Sequence, residues 1–250
     1  MDSIRSTIST TYPIRALGDT LSEAIARKIM QEILSGNLKP GQRIRQDEYS
    51  IALGTSKTPL REALKRLEAS GWIEIGSYRG ATVKRLDPQE LEKIYVARAL
   101  LEGFAAGVAA QKRDPSLISA LEELVDDMTK FGPGDAERAE QLNDQFHMTL
   151  YAACGSEGLV SSLRDNWVRA LRFRIFYWTD SESWASSTSD HQRILRAVKR
   201  GQATLVEALV LEHLLAGMSK IRDRIDGTSS ASPIIQALLE RSLALRELPW

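Results

Sequence analysis

Apolar side chains recur every three to four residues over most of this chain, which is the period of an amphipathic α-helix. From Asp87 onward nearly every segment follows this pattern, and glycine and proline residues mark the breaks between segments. Long helices joined by short loops indicate an antiparallel bundle. We predict helices over residues 88–112, 115–130, 135–153, 158–178, 184–200, 202–225 and 234–248.

The first 86 residues have a different pattern, in which short helices alternate with strand-like runs. Thr20 and Glu23 form a capping box, which predicts the start of a helix, and Gly36 can end that helix. We predict a second helix over 45–52, a third that begins near Pro59, and strands over 72–75 and 81–84 on either side of a hairpin tip at 76–80.

The predicted third helix has two distinct faces. Pro59 suits its first turn, where the missing N–H costs nothing. The apolar face consists of Leu60, Ala63, Leu64 and Leu67. The neighbouring flank carries cationic and hydroxyl side chains: Lys57, Thr58, Arg61 and Lys65. A helix that enters the major groove of DNA needs such groups for guanine edges and phosphates. The unit is therefore predicted to be a helix-turn-helix with a β-wing, and Arg79 lies at the tip of the wing.

The order of these features and the charge distribution both favour DNA binding. A basic helix on its own is usually a solvated surface, but here turn, apolar stripe, hairpin and basic tip follow one another in the order of a winged helix-turn-helix. Residues 1–86 carry 14 lysines and arginines against nine aspartates and glutamates, whereas the remainder carries 19 against 24. We therefore expect only the first part of the chain to contact nucleic acid.

Length and composition predict a two-domain protein of a reducing compartment. A chain of 250 residues suits two modest domains. The one cysteine, Cys154, excludes an internal disulfide, and we expect it in the core of a helix rather than as a nucleophile. No apolar run approaches the roughly 20 residues of a membrane helix, and no signal-peptide core is present, so we expect a cytoplasmic protein. The predicted domains are a DNA-binding domain (1–86), an all-α domain (87–226) and a linker with a last amphipathic helix (227–250).

All three histidines lie on or beside the apolar stripes of different predicted helices: His147, His191 and His213. Asn143 lies four residues before His147, so both can present a ligand atom to one point. Bundle proteins build metal sites from such inward-facing side chains. A single histidine on an apolar face is usually a core residue, and this alternative stays open. Three inward-facing histidines on three helices favour the metal site.

Three segments of the DNA-binding part carry a specific resemblance: Lys-Pro-Gly-Gln-Arg-Ile at 39–44, Ser-Lys-Thr-Pro-Leu-Arg-Glu-Ala-Leu at 56–64, and Arg79-Gly80. They resemble the GntR family of bacterial regulators. The resemblance implies operator contacts by Ser56, Lys57, Thr58 and Arg61, with Arg79 and Gly80 at the wing. We add Lys65 from the same flank and Arg45 from the start of the first helix of the pair. Lys57 replaces the usual arginine, and Asp47 replaces an arginine that touches DNA in some relatives.

The second part resembles the FCD domain, the effector module of FadR-like GntR proteins. The matching motifs begin with Ile94 to Glu102 and continue with Asn143 to His147, Asp190-His191 and Glu212-His213. Many members bind a divalent metal through one aspartate and three histidines. The resemblance therefore implies that His147, His191 and His213 bind Zn²⁺, Ni²⁺ or Mn²⁺, with Asn143 in the usual aspartate position. An amide oxygen is a weaker ligand than a carboxylate, so metal affinity and identity depend on this substitution.

Arg98 lies within the apolar stripe of its helix, and a buried guanidinium needs an anionic partner. Its partner is either Glu102, one turn further along the helix, or a carboxylate ligand that also contacts the metal. Arg169, Arg172 and Arg174 are candidates for the same anionic pocket, although their spacing points them to different sides and predicts that most lie at the surface. We predict Tyr95, Arg98 and Arg172 as effector-binding residues.

The sequence thus predicts a mainly α protein with an N-terminal winged helix-turn-helix and a C-terminal antiparallel bundle similar to the FCD domain. The resemblance implies a regulator that binds an inverted-repeat operator as a homodimer and responds to a small organic acid at a metal-assisted site. A hydrolase-type metalloenzyme is the main alternative, because three histidines with an open position can activate water. No HExxH motif and no evident general base support that alternative.

Overall fold

The computed structural model describes residues 20–76, 80–130, 136–174, 181–226 and 232–248. The chain divides into two compact units, and the boundary in the sequence lies between Arg85 and Leu86. The first unit contains α1 (Leu21–Leu34), β1 (Arg43–Ile44), α2 (Gln46–Ala52), α3 (Lys57–Ala69), β2 (Ile73–Gly76) and β3 (Gly80–Val83). The second unit contains α4 (Pro88–Gln111), α5 (Pro115–Lys130), α6 (Ala136–Ala152), α7 (Glu157–Arg174), α8 (Ser181–Lys199), α9 (Ala203–Asp226) and α10 (Pro233–Glu247).

The capping box predicted for α1 is confirmed. The Thr20 hydroxyl accepts a hydrogen bond from the Glu23 amide at 3.3 Å, and the Glu23 carboxylate accepts one from the Thr20 amide at 2.9 Å. These two bonds satisfy amide groups that the first turn of a helix otherwise leaves without partners. Gly36, with φ of 76°, follows the end of the helix in the left-handed conformation that favours glycine.

The wing is a three-stranded antiparallel sheet in the order β1-β3-β2. Ile75 lies opposite Ala81 in the β2–β3 pair, and Arg43 lies opposite Thr82 in the β1–β3 pair. The predicted strands were each displaced by one residue from β2 and β3. The sequence did not predict β1, because a two-residue strand is too short to show an alternating pattern.

The third helix of the first unit buries the predicted stripe. Leu60, Ala63, Leu64 and Leu67 are the buried residues of α3. Ser56 precedes the helix in an extended conformation, and Pro59 lies in the first turn. Burial of this stripe fixes the rotation of α3, so the flank with the basic side chains faces outward.

The second unit is a helical bundle in which α4 and α9 pack closely. Glycines on α4 permit this approach, because a Cβ added at Gly107 would lie 3.2 Å from the carbonyl oxygen of Ala203, and one at Gly103 would lie 3.3 Å from Glu207. Asp87 caps α4 through its side chain, which accepts a hydrogen bond from the Gln89 amide, and Pro88 is the first helical residue, as predicted.

The last helix, α10, packs against α9 and buries Ile235, Leu238 and Ser242. Cys154 is buried as predicted, but it lies in the turn after α6 rather than within a helix. Among the described residues, no helix is both long enough and apolar enough to cross a membrane.

Candidate functional sites

Nearly all the side chains that the sequence predicts to contact DNA are exposed, on the outer flank of α3 and at the residues just before α2 and α3. The exposed residues are Arg45, Ser56, Lys57, Thr58, Arg61 and Lys65. Gly80, the first residue of β3, has φ of 70° and is half-buried. Arg79, the other residue predicted at the wing tip, lies outside the described residues.

Two of these basic side chains are paired with carboxylates of α2. Lys57 Nζ lies 2.6 Å from the carboxylate of Asp47, and Arg45 donates to Glu48 at 2.7 Å. Both pairs are exposed, so each contributes little to stability. Asp47 replaces an arginine that some relatives carry, and in this structure it forms an ion pair with Lys57 of α3.

The three histidines converge in the core of the second unit. His147 on α6, His191 on α8 and His213 on α9 are all buried, and their ligand atoms lie within 4.8 Å of one another. The ring centroids are 4.9 to 5.2 Å apart. The sequence correctly predicted that these side chains face inward from three different helices.

A chain of hydrogen bonds fixes the tautomer of His147. The Tyr151 hydroxyl donates to Glu102 at 2.8 Å and lies 2.9 Å from Nδ1 of His147. Because that hydroxyl proton is used by Glu102, the oxygen must accept a hydrogen bond from Nδ1–H of His147. The lone pair of His147 is then on Nε2, the nitrogen that faces the other histidines.

The other two histidines also contact a polar neighbour through Nδ1. Nδ1 of His191 lies 3.5 Å from the Ser187 hydroxyl, and Nδ1 of His213 lies 3.3 Å from Oδ2 of Asp190. Histidines that bind metals generally donate the second ring N–H to such a partner, which fixes the ring orientation and leaves Nε2 for the ion.

Nε2 of His147 and Nε2 of His191 lie only 3.1 Å apart. Burial lowers the pKa of both rings well below the ordinary value of 6.5, and the neighbouring histidines lower it further. Two neutral rings can thus direct lone pairs at one point. Two nitrogens bound tetrahedrally to one zinc ion at about 2.0–2.1 Å are separated by about 3.4 Å. The donor set and its spacing therefore fit a divalent transition metal.

Asn143 is buried one turn before His147 and lines the same pocket. Asp144, the adjacent carboxylate, does not take its place, because it forms an ion pair with Arg174. Asn143 Nδ2 lies 3.4 Å from Oδ1 of Asp144. The position implied for the fourth ligand thus holds a neutral amide.

A pocket adjoins the histidines, and two buried arginines form part of its wall. Arg98 and Arg174 both place the guanidinium carbon over the ring of Trp167, at 4.6 and 4.4 Å from its centroid. In the described part of the chain, Nη1 of each arginine is buried and has no hydrogen-bond partner. The residues that line the pocket are Tyr95, Arg98, Asn143, His147, Arg174, His213, Leu214 and Gly217.

Of the two partners considered for Arg98 from the sequence, the structure shows Glu102. Nε of Arg98 donates to Glu102 at 2.6 Å in a fully buried pair, so the intrahelical partner is present. The same guanidinium lines the pocket and keeps Nη1 without a partner among the described residues. The pair with Glu102 therefore leaves one N–H group for a further anion.

The prediction that most of Arg169, Arg172 and Arg174 lie at the surface was wrong for two of them. Arg172 and Arg174 are buried, and Arg169 is exposed. Arg172 forms an ion pair with Glu90 at 2.5 Å and is not among the residues that line the pocket, whereas Arg174 is. Nothing in the residue pattern distinguishes Arg174 from the other two arginines, because its carboxylate partners on α6, Glu140 and Asp144, are distant in sequence.

A winged helix-turn-helix followed by a separate all-α domain defines a class of bacterial transcription factors. The family model for bacterial regulatory proteins of the gntR family matches residues 21–83, and the FCD domain model matches residues 93–216. The chain belongs to the GntR family and carries a C-terminal FCD domain. It is a transcriptional regulator and not an enzyme, which excludes the hydrolase alternative.

Curated relatives and solved structures agree with this assignment. The chain is 28% identical over 194 residues to the Nta operon transcriptional regulator of Aminobacter aminovorans. The aligned region covers 78% of this chain and 91% of the relative. It is 27% identical to the regulator LutR of Bacillus subtilis, with 73% and 92% covered. The structure of Escherichia coli McbR/YncC has the same fold, with a TM-score of 0.67 at 20% identity, covering 82% of this chain and 99% of that one.

Proposed function

We propose that this regulator binds a divalent transition metal at its histidine cluster and senses a small organic acid in the adjoining pocket. The observation that carries the proposal is that the histidine cluster adjoins a pocket whose wall includes guanidinium N–H groups without partners among the described residues. Unpaired buried donors are costly. A carboxylate offers the acceptors that Arg98 and Arg174 lack.

In this proposal His147, His191 and His213 hold the metal, which is Zn²⁺, Ni²⁺ or Mn²⁺, and Asn143 is the fourth protein ligand. Imidazole suits all three ions, and the neutral amide lowers affinity relative to a carboxylate. When bound, the metal supplies a Lewis-acidic position for an oxygen of the acid. Arg98 and Arg174 bind and orient the acid, and Tyr95 closes the wall beside them.

The DNA-binding unit uses α3 as its recognition helix in this proposal. Ser56, Lys57, Thr58, Arg61 and Lys65 contact the operator, with support from Arg45 and from Gly80 in the wing. Lys57 Nζ lies 2.6 Å from the Asp47 carboxylate, so Lys57 must break this ion pair before it can contact DNA. The ligand changes DNA affinity only to the extent that it favours one conformation of the regulator over another.

We further propose that the regulator is a cytoplasmic homodimer that reads an inverted repeat. Two-fold symmetry of a protein matches two-fold symmetry of its operator. On α4, Leu100 and Phe104 lie one turn apart and are 44% and 57% exposed. Large exposed apolar side chains on adjacent turns are typical of a surface covered by a partner. We place the interface with a second copy on this face of α4.

A thermal-shift screen of carboxylic and sugar acids tests the sensor proposal. Metal-loaded and chelator-treated protein are compared. A ligand that binds only the native state stabilises it, by about 2.7 kcal/mol at a ligand concentration of 100 times its Kd, and so raises the melting temperature. We expect at least one acid to stabilise only the metal-loaded protein. The double variant His191→Ala/His213→Ala serves as the control and should lose the response. If metal removal and every acid leave the transition unchanged, the histidines are core residues.

A further inference from the structure

The last helix is connected to one of the candidate metal ligands through a series of charged contacts. The family model for the FCD domain ends at residue 216, so α10 lies beyond it. The side chains of α10 nevertheless reach Glu212, the residue directly before His213. This connection concerns the metal site of the proposed function and rests on it.

Glu212 accepts two contacts from α10. The Ser242 hydroxyl donates to Oε1 of Glu212 at 2.6 Å, and Arg246 forms an ion pair with Oε2. Ser242 is almost fully buried, and Glu212 is half-buried, with 26% of its side chain exposed. Both carboxylate oxygens of Glu212 therefore have a partner on α10.

Arg193 on α8 lies between two carboxylates. It donates from Nη1 to Asp190 at 3.0 Å, while its Nη2 lies 3.9 Å from Oε2 of Glu212. The shorter contact is the one with Asp190. Arg246 neutralises the charge of Glu212, and Ser242 donates a hydrogen bond to its other oxygen. Arg193 therefore pairs with Asp190 rather than with Glu212.

Asp190 in turn contacts the metal-ligand candidate. Its Oδ2 lies 3.3 Å from Nδ1 of His213, and its Oδ1 is the atom that Arg193 holds. A carboxylate in this position fixes the tautomer and orientation of a ligand histidine, and its loss typically weakens metal binding by about 10–100-fold.

We propose that α10 is a positioning element for the metal site and that Arg246 is its main positioning residue. Arg246 neutralises Glu212, which keeps Arg193 on Asp190, and Asp190 then stays in place as the hydrogen-bond acceptor that orients the ring of His213 through Nδ1–H. Without Arg246, the charge of Glu212 draws Arg193 away from Asp190. The helix that follows the FCD domain thus adjusts the affinity of the metal site without contacting the metal.

The variant Arg246→Ala tests this inference, and Arg241→Ala is its matched control. Arg241 is also on α10 and pairs with a glutamate of α9, Glu207, at 2.7 Å, but Glu207 has no contact with Asp190 or His213 among the described residues. Zn²⁺ dissociation constants are measured on the full chain by competition with a chelating indicator. We expect Arg246→Ala to weaken binding by about tenfold, at the lower end of the range for outer-shell partners. Arg241→Ala should match the wild type, and Arg246→Lys should recover most of the affinity.

A second measurement follows His213 directly in the metal-free protein. Nitrogen chemical shifts of the histidine rings distinguish the two neutral tautomers, and we expect His213 to lose its uniform Nδ1–H form only in Arg246→Ala. Equal Zn²⁺ affinity of Arg246→Ala and wild type, or an equal loss in both alanine variants, would overturn the positioning role. A wild type that binds no Zn²⁺ would instead overturn the proposed metal site, and this inference with it.

Discussion

At the scale of single residues, the proposed metal site depends on the hydrogen-bond partner of each histidine ring. Tyr151, Ser187 and Asp190 each contact Nδ1 of one ring. The helical spacing of the sequence showed that the histidines face inward, because an apolar stripe fixes the buried side of a helix. It could not show the contacts of Tyr151 with Glu102 or of His213 with Asp190, since each of these joins two different helices.

Restoring a carboxylate at Asn143 should strengthen metal binding. An added unit charge about 4 Å from a divalent cation contributes about 8 kcal/mol at an effective dielectric constant of 20, and desolvation of the buried carboxylate cancels much of this. We expect Asn143→Asp to lower the Kd for Zn²⁺ by about tenfold, or about 1.4 kcal/mol. Gln145→Glu adds the same charge at an exposed position of α6 and should have no such effect. Equal affinities of Asn143→Asp and wild type would show that this side chain is not a ligand.

The buried histidines should make the metal-free protein less stable in acid. Burial lowers the pKa of His147 and His191 in the folded state, so below pH 6.5 the unfolded chain takes up protons that the folded protein does not. Stability is therefore complete above pH 6.5 and declines as the pH falls, by about 1.4 kcal/mol per pH unit for each ring. Urea unfolding of chelator-treated protein between pH 7.5 and 5.5 measures the slope. The variant His147→Gln should show a shallower slope, and a flat wild-type profile would contradict the prediction.

At the scale of elements, the sequence predicted the helices well and the smallest strand not at all. The predicted ranges of α4, α5 and α9 agree with the structure to within one residue at each end, because capping residues and glycines mark those ends. β1 has two residues and exists only because it pairs with β3. The burial of Arg174 was missed for a similar reason, since it follows from the packing of α7 against other helices rather than from the residue pattern within α7.

The two faces of α3 should separate operator recognition from stability. Arg61 lies on the exposed flank, and we expect Arg61→Ala to weaken operator binding by about 1–3 kcal/mol and to relax base choice at one position. Arg66 lies on the same helix but pairs with Glu23 of α1 at 3.2 Å, so Arg66→Ala is the matched control. The operator is first obtained by selecting wild-type binders from random DNA, and affinities are then compared by gel shift at two salt concentrations. An unchanged affinity of Arg61→Ala would remove it from the interface.

At the scale of the whole molecule, the groups proposed for DNA binding and those proposed for ligand sensing lie in different compact units. The first unit carries the basic helix, and the second carries the histidines, the pocket and α10. Net charge in the sequence anticipated this division, because the excess of cations is confined to the first part. A single DNA-binding unit reads one half-site, so recognition of an inverted repeat requires two copies of the chain.

Phe104 should therefore control both assembly and operator binding. The proposed dimer buries Phe104 in an apolar contact, where an aspartate would leave an uncompensated charge, so we expect Phe104→Asp to be a monomer in analytical ultracentrifugation. The monomer should bind a full inverted repeat hardly better than a single half-site, because it loses the advantage of two linked contacts. Leu243→Asp introduces the same charge at an apolar residue of α10 that is more exposed than Phe104, and it should remain dimeric. Dissociation of Leu243→Asp with an intact Phe104→Asp dimer would move the interface from α4 to α10.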